Sequence, residues 1–283
     1  GILKGIILEK QKRRIEILPY ISSTDKLEPG DSEDPYWNKH NIIGNTGVDF
    51  KIGLGSNFTL TGTINPDFGQ VEADPADLNL SAFETFFEER RPFFLEGTDI
   101  FQFGKTRAFR AGSPSIFYSR RIGRSPRGSI TDNSEYEDYP SQTKIISALK
   151  FSGKTNSGLS VGILDAITAK ENAKYKDSTN TESVQAVEPF ANSLVLRLKQ
   201  DLNDGKIIFG GFFTNKQQVL TTNYLKSSFV SKANVMGADF EYALPDPAWV
   251  VSGYTATSSL LGTEKIISEI QKNSTHYFQR PDD

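Results

Sequence analysis

ANSLVLRLKQDLNDGKIIFGGFFT, residues 191–214, decides the fold. Leu194, Leu196 and Leu198 alternate with Ser193, Arg197 and Lys199, and only Val195 breaks the pattern. Period two marks a β-strand with one apolar face. The short link DLNDG, 201–205, leads into a second strand at 206–214. The same alternation recurs along the chain. In 233–244, Met236, Ala238, Phe240, Tyr242 and Leu244 oppose Asp239 and Glu241. In 47–54, Val48, Phe50, Ile52 and Leu54 oppose Asp49 and Lys51. In 57–65, Phe58, Leu60 and Ile64 alternate with Asn57, Thr59, Thr61 and Thr63. Further strands are predicted at 13–22, 143–152, 158–168 and 248–259, with a shorter pair at 105–111 and 115–123.

Most of these segments exceed the five or six residues usual in soluble sheets and approach the length of a membrane-spanning strand. The connections add a rhythm. GKTNS (153–157), DLNDG and PDP (245–247) are short; 168–191 and 215–232 are long and polar. Carried backwards, 124–142 becomes a long outer loop and GSPS at 112–115 an inner turn. An outer-membrane barrel alternates tight periplasmic turns with long outer loops in this way. The predicted fold class is therefore all-β: an antiparallel transmembrane β-barrel.

Composition narrows the alternatives. The chain has 32 basic and 35 acidic residues, so no broad basic field invites nucleic acid. Cysteine is absent, which excludes disulfides, thiolate nucleophiles and zinc–thiolate sites. His40 and His276 are the only histidines, too few for a multi-histidine metal site. No apolar run is long enough for a transmembrane helix, no signal peptide is evident, and Gly1 reads as an internal or processed start. The strands end near residue 260, and an open sheet cannot sit in lipid. Residues 1–283 are therefore expected to form a portion of a barrel whose C-terminal remainder is absent, with 261–278 a loop or another strand start.

One stretch departs from the alternation: TINPDFGQVEADPADLNLSAFETFFEERRPFFLEG, 63–97. Pro66, Pro75 and Pro92 break strand pairing. Ser81 with Glu84 fits a capping box, and Phe83, Phe86 and Phe87 fall at helical spacing. A short helix over about 82–90 is predicted, with Pro92 after its end. Irregular backbone at membrane depth is tolerated only inside the protein, so 66–112 is expected to fill the lumen as a plug. There Asp67, Glu72, Asp74, Glu88 and Glu89 would pair with Arg90, Arg91, Arg120 and Arg121. Asp77, Arg107, Arg110 and Arg124 are further members, and FYSRRIGR (117–124) is read as a strand placing Arg120 and Arg121 on opposite faces.

NPDFGQVEADPADLNLSAFETFFEERRPFFLEG followed by FYSRRIGR resembles the signature of an uncharacterised family of Gram-negative outer-membrane β-barrel proteins. The match lies within 63–124, and this chain carries Glu88 where that family usually has Pro. Members usually carry an N-terminal periplasmic module like the family-nine carbohydrate-binding modules; no sugar-site constellation precedes residue 13. Some members are labelled hydrolases, through that module. The resemblance implies a barrel and the cell outer membrane, not a reaction.

Enzyme readings are weaker. GLSVG at 158–162 matches G-x-S-x-G, but that motif needs a strand, a sharp turn and a helix, and Ser160 sits within an alternating strand. Asp67, Glu72 and Asp74 carry oxygen ligands that would suit calcium; a salt-bridged plug without a cofactor is the preferred reading. Glu72 with Glu84 or Glu88 would be the carboxylate pair of a glycosidase. Tyr36, Trp37 and Trp249 suit interfacial belts. The expectation is an outer-membrane barrel acting in passage, surface binding or envelope-complex assembly, without catalysis of its own. Its partners would be membrane lipid and other outer-membrane or periplasmic proteins. The competing reading is a soluble β-rich carbohydrate-binding or glycoside-hydrolysing domain.

Overall fold

The computed structural model describes residues 14–27, 29–67, 86–104, 116–245 and 249–273. Among these residues twelve strands form, β1 (Ile15–Lys26), β2 (Asn41–Leu54), β3 (Phe58–Ile64), β4 (Tyr136–Asp138), β5 (Ile145–Lys154), β6 (Leu159–Thr168), β7 (Glu171–Lys176), β8 (Glu182–Glu188), β9 (Phe190–Leu202), β10 (Ile207–Val219), β11 (Lys232–Ala243) and β12 (Val250–Leu261). Three short helices accompany them, α1 (Pro92–Leu95), α2 (Asn223–Ser228) and α3 (Glu264–Lys272).

The protein is mostly antiparallel sheet. Nine strands pair in the order β1-β2-β3-β5-β6-β9-β10-β11-β12, and every pairing is antiparallel. The expected barrel is not closed among the described residues: β1 and β12 each have one neighbour. Within the nine strands, each short link joins strands at one end, hereafter the turn end: 55–57, 155–158, 203–206 and 244–249. Each long connection leaves and re-enters the sheet at the opposite end, the rim: 27–40, 65–144, 169–189 and 220–231. At the turn end, Asn203 and Asp204 adopt left-handed φ of 53° and 55°, followed by Gly205 at 83°, which makes the β9–β10 link tight.

The register is staggered. One row of paired residues crosses all nine strands, from Glu16 and Lys51 through Lys150, Leu164 and Val195 to Thr214, Val235 and Ser258. Glu16 is the second residue of β1, at the turn end; Ser258 is the ninth of β12, near the rim. With strands about 4.8 Å apart and a rise of about 3.3 Å per residue, a stagger of about seven residues over eight pairings tilts the strands by about 30°.

The two faces of this sheet differ in kind. On one, the covered face, Lys150 and Arg197 are each 1% exposed. The other, the bare face, presents the leucines and phenylalanines. Leu198, Phe209, Met236 and Phe240 are about half exposed, and Ile17 and Ile21 more so. On β9 this apolar run is bounded by Asn192 towards the rim and Gln200 towards the turns. The polar side chains near the rim satisfy one another across strands. Asn192 Nδ2 donates to Asp165 at 2.9 and 3.0 Å, Asn215 to Asn234 at 2.6 Å, and Asn234 to Ser259 at 3.2 Å.

Several expectations need correction. The long segments at 124–142 and 168–191 are not plain loops: β4, β7 and β8 form a second, three-stranded sheet in the order β4-β7-β8. Residues 86–91 are not helical; α1 begins at Pro92. Proline suits the first helical position, where its missing N–H would be unpartnered anyway, so it starts the helix that it was expected to follow. FYSRRIGR is not a strand: Ser119–Arg121 form a 3₁₀ turn. After residue 261 comes helix α3, not a strand. The predicted strand at 105–111, the turn at 112–115 and the capping box Ser81/Glu84 lie outside the described residues.

Candidate functional site

The covered face is packed by 86–104 and 116–122. α1 and the 3₁₀ turn Thr98–Phe101 bring four phenylalanines, Phe93, Phe94, Phe101 and Phe103, onto the sheet; all are buried, with Ala148, Leu164, Ala166, Val195 and Phe212 in the same core. Two glycines admit the rings. A Cβ at Gly162 would lie 2.8 Å from Ile100 and 3.0 Å from Phe101, and one at Gly237 only 2.6 Å from Phe103.

Around this small apolar core, sheet cations grip the segment. Lys150 Nζ donates to the carbonyls of Phe93 and Glu96 and stands 4.9 Å over the Phe93 ring. Carbonyls at a helix C-terminus lack intrahelical partners, so a lysine there satisfies them. Lys51 pairs with the Glu96 carboxylate. Arg197 makes a two-pronged pair with Asp239 at 2.7 and 2.8 Å, and Asp239 also accepts the Gly104 N–H at 3.0 Å. The guanidinium lies 5.8 Å from the Phe103 ring and 6.0 Å from Phe212. One ion pair thus holds a backbone amide and borders the aromatic ring beside it.

The Glu89–Arg91 pair clasps the segment to the 3₁₀ turn. Arg91 Nε and Nη2 donate to the two Glu89 oxygens at 2.8 and 2.7 Å. Its remaining donors reach Ile122 O at 2.6 Å and Ser119 O at 2.8 Å, and its plane lies 4.2 Å from the Phe94 ring. Ser119 Oγ donates to Glu89 at 2.5 Å. Both side chains are 9% exposed. Burial works against ionising Glu89, but the hydrogen bonds and charge of Arg91, with Ser119, outweigh it and hold the carboxyl below its usual range.

At the rim, Arg127 clamps Glu188 at 2.7 Å, stacks 4.6 Å from the Phe229 ring, and donates its own backbone N–H to the same carboxylate. Gly128 N–H donates to Val187 O and Ser129 N–H to Tyr224 Oη, so 127–129 knits β8 to α2. Ala186, Leu225 and Phe229 form a small apolar cluster there.

Of the residues singled out from sequence, Glu89 and Arg91 meet directly. Arg90 bonds Glu89 through its backbone N–H, Arg120 Nη1 donates to Glu88 O at 2.8 Å, and Arg121 lies 5.9 Å from the Tyr118 ring. Arg120 and Arg121 therefore belong to a turn tied to 87–91, not to two faces of a strand. Asp67 is tied to β1, accepting from Ser22 Oγ and donating its N–H to Tyr20 Oη at 2.9 Å. Glu72 and Asp74 lie outside the described residues; among those described, no three His, Asp or Glu side chains group as a metal site. Ser160 lies inside β6, which runs on to Thr168 with no helix following, so the G-x-S-x-G match is not a nucleophile elbow. Lys150, Glu96, Asp239, Arg127 and Glu188 were missed. Lys150 and Asp239 stand at polar positions of alternating strands, but their partners needed the register and the path of 86–104; Glu96 and Arg127 lie in connections, where no periodicity marks them.

A family model described as a domain of unknown function (DUF5916) matches residues 12–278. No curated protein and no solved structure matches the chain.

Proposed function

We propose that this chain, which belongs to the DUF5916 family, builds wall and filling of an outer-membrane β-barrel. The bare face meets lipid, and 86–104 is held in the lumen. Its role is passage, surface binding or envelope-complex assembly, without catalysis of its own. The observation that carries this reading is the inversion of burial: the sheet encloses Lys150 and Arg197 and leaves Leu198 and Phe240 bare.

The dimensions support it. Between Asn192 and Gln200, eight residues at about 3.3 Å rise and about 30° tilt give an apolar band about 23 Å high, against about 25 Å for outer-membrane barrels. From β1 to β11, seven spacings of about 4.8 Å by about 26 Å along the strands, that band covers about 900 Å², beyond the patch of about 300–600 Å² that monomers in water tolerate. The tilt suits a barrel wall, and the segregation of turns from long connections gives periplasmic and outer ends. Trp249, exposed at the turn end, and Tyr36 and Trp37, at the rim, suit the two interfacial belts.

Carbonate extraction tests the reading. The protein is expected to stay with the membrane pellet at alkaline pH and to need detergent for release. Recovery in the supernatant without detergent would refute it.

A further inference from the structure

We infer that the covered face binds a calcium ion where β3 ends, held by the carboxylates of Asp49 and Asp67 and the hydroxyl of Thr63. The site lies wholly on that face, so it does not depend on whether the bare face meets lipid.

The registers bring these groups together. Asp49 stands directly opposite Thr63, and the Cβ atoms of such a pair are about 4.5–5.5 Å apart. Tyr20 stands opposite Gly47, two residues from Asp49 and on the same face. Gly47 lets the Tyr20 ring lie across β2: a Cβ there would collide with Tyr20 Oη and lie 2.5 Å from Asn65 O. The Tyr20 hydroxyl donates to Asn65 O at 3.0 Å and accepts the Asp67 N–H at 2.9 Å. It therefore pins the start of the 65–144 connection beside the Asp49–Thr63 pair, and it feels the charges of both Asp49 and Asp67.

Two features of this patch call for a cation. Thr63 is 2% exposed, and its Oγ1 is buried with no hydrogen-bond partner among the described residues. Asp49 is half-buried, and among the described residues no lysine, arginine or histidine pairs with it. Lys51, next to it on the same face, is engaged by Glu96. A buried hydroxyl without a partner and a desolvated carboxylate without a counter-charge are each costly; one hard cation relieves both. The groups are all oxygens, which suits calcium or magnesium rather than softer metals. Ser22 Oγ donates to Asp67, the kind of hydrogen bond that orients a ligating carboxylate. Two carboxylates and one hydroxyl leave the remaining positions to water. Calcium accepts such an irregular set, whereas magnesium demands a near-ideal octahedron. With two charges, affinity in the range of extracellular modules is expected, a Kd of about 10⁻⁴–10⁻³ M. The bound ion would brace β2 and β3 against the chain leaving them towards 86–104.

Terbium replaces calcium at oxygen sites and emits when a nearby phenol is excited, and Tyr20 supplies the phenol. The full chain is titrated with terbium in mild detergent. Emission excited through tyrosine is expected to saturate and to be displaced by calcium, with magnesium about tenfold less effective. Asp49→Asn should weaken calcium binding about tenfold or more, and Thr63→Val about threefold or more. Asp204→Asn, at an exposed carboxylate of the turn end, should leave it unchanged. Calcium should also raise the thermal midpoint of the native chain and not that of Asp49→Asn. Thr63→Val keeps the side-chain shape and gives a second reading should Asp49→Asn not fold. Emission that calcium does not displace overturns the inference, as does binding that survives intact in Asp49→Asn. A Thr63→Val chain stabilised by calcium as much as the native one overturns it as well, since Thr63 Oγ1 would then hold no ion.

Discussion

Replacing Leu196 by lysine separates lipid from water on the bare face. Leu196 lies four residues from Asn192 and four from Gln200, so about 11 Å from either polar boundary at the tilt derived above. In hydrocarbon a lysine at mid-depth costs about 2–4 kcal/mol, falling to about 0–1 near the interfaces. Leu194 and Leu198, two residues nearer a boundary, should lose about 1–2 kcal/mol, and Asn192→Lys under about 1 kcal/mol. A water-facing sheet gives a different profile: exposed substitutions cost within about 0.5 kcal/mol at every depth, and a lysine stem can lie along its apolar neighbours. The assay is guanidinium unfolding of the protein folded into phosphatidylcholine vesicles, followed by the fluorescence of Trp37 and Trp249. A flat profile over 192, 194, 196 and 198, with every change under about 0.5 kcal/mol, would refute the assignment of this face to lipid.

Other perturbations address the segment 86–104 that covers the sheet. Arg91→Ala leaves Glu89 buried without its cation and frees two carbonyls; a loss of about 3–5 kcal/mol is expected, seen as faster proteolysis within 86–104, whereas Arg90→Ala, at an exposed side chain, should do much less. Lys150→Met keeps the stem and removes the ammonium that serves Phe93 O and Glu96 O; stranding these acceptors should cost about 1–3 kcal/mol, read as a lower denaturation midpoint. Acid should loosen the same clasp with a defined sign. Because the Glu89 carboxyl is held below its unfolded range, its contribution is present at neutral pH and is lost as pH falls through the folded value. Protease resistance of 86–104 should persist through the ordinary carboxylate range and fall beneath it, while in Glu89→Gln this step should vanish.

How much of this was legible depends on the range of each interaction. The nine strands of the large sheet were readable because period two is local: Leu194, Leu196 and Leu198 report their face without knowledge of any partner. The segments ENAKYK and ESVQAVE of β7 and β8 lack that uniform apolar stripe, so they read as polar loops. Pro92 was read as a stop and acts as a start, since the same ring suits both sides of a helix boundary. The turn at Ser119–Arg121 is held by the Arg91 guanidinium, 28 residues or more away in sequence, which no local pattern contains. The charge cluster was half visible: Glu89 and Arg91 lie two residues apart, whereas Arg197 and Asp239 meet across 42 positions through the registers of β9, β10 and β11.

A bare apolar sheet face has another conventional remedy, burial against a second sheet in a sandwich. Three observations weigh against it. A sandwich has no reason to gather every short turn at one end and every long connection at the other. Polar residues bounding a sandwich face would be served by water, yet here Asn192 bonds Asp165, and Asn215, Asn234 and Ser259 bond in series across three strands. Side chains that satisfy one another at the limit of the apolar band need no solvent beside them, which suits the margin of hydrocarbon. The third is the opposite face. A sandwich leaves its outer faces open to water, whereas this sheet covers that face with four phenylalanines and shuts lysine and arginine beneath them. An enclosed lumen needs such a filling; a solvent face does not.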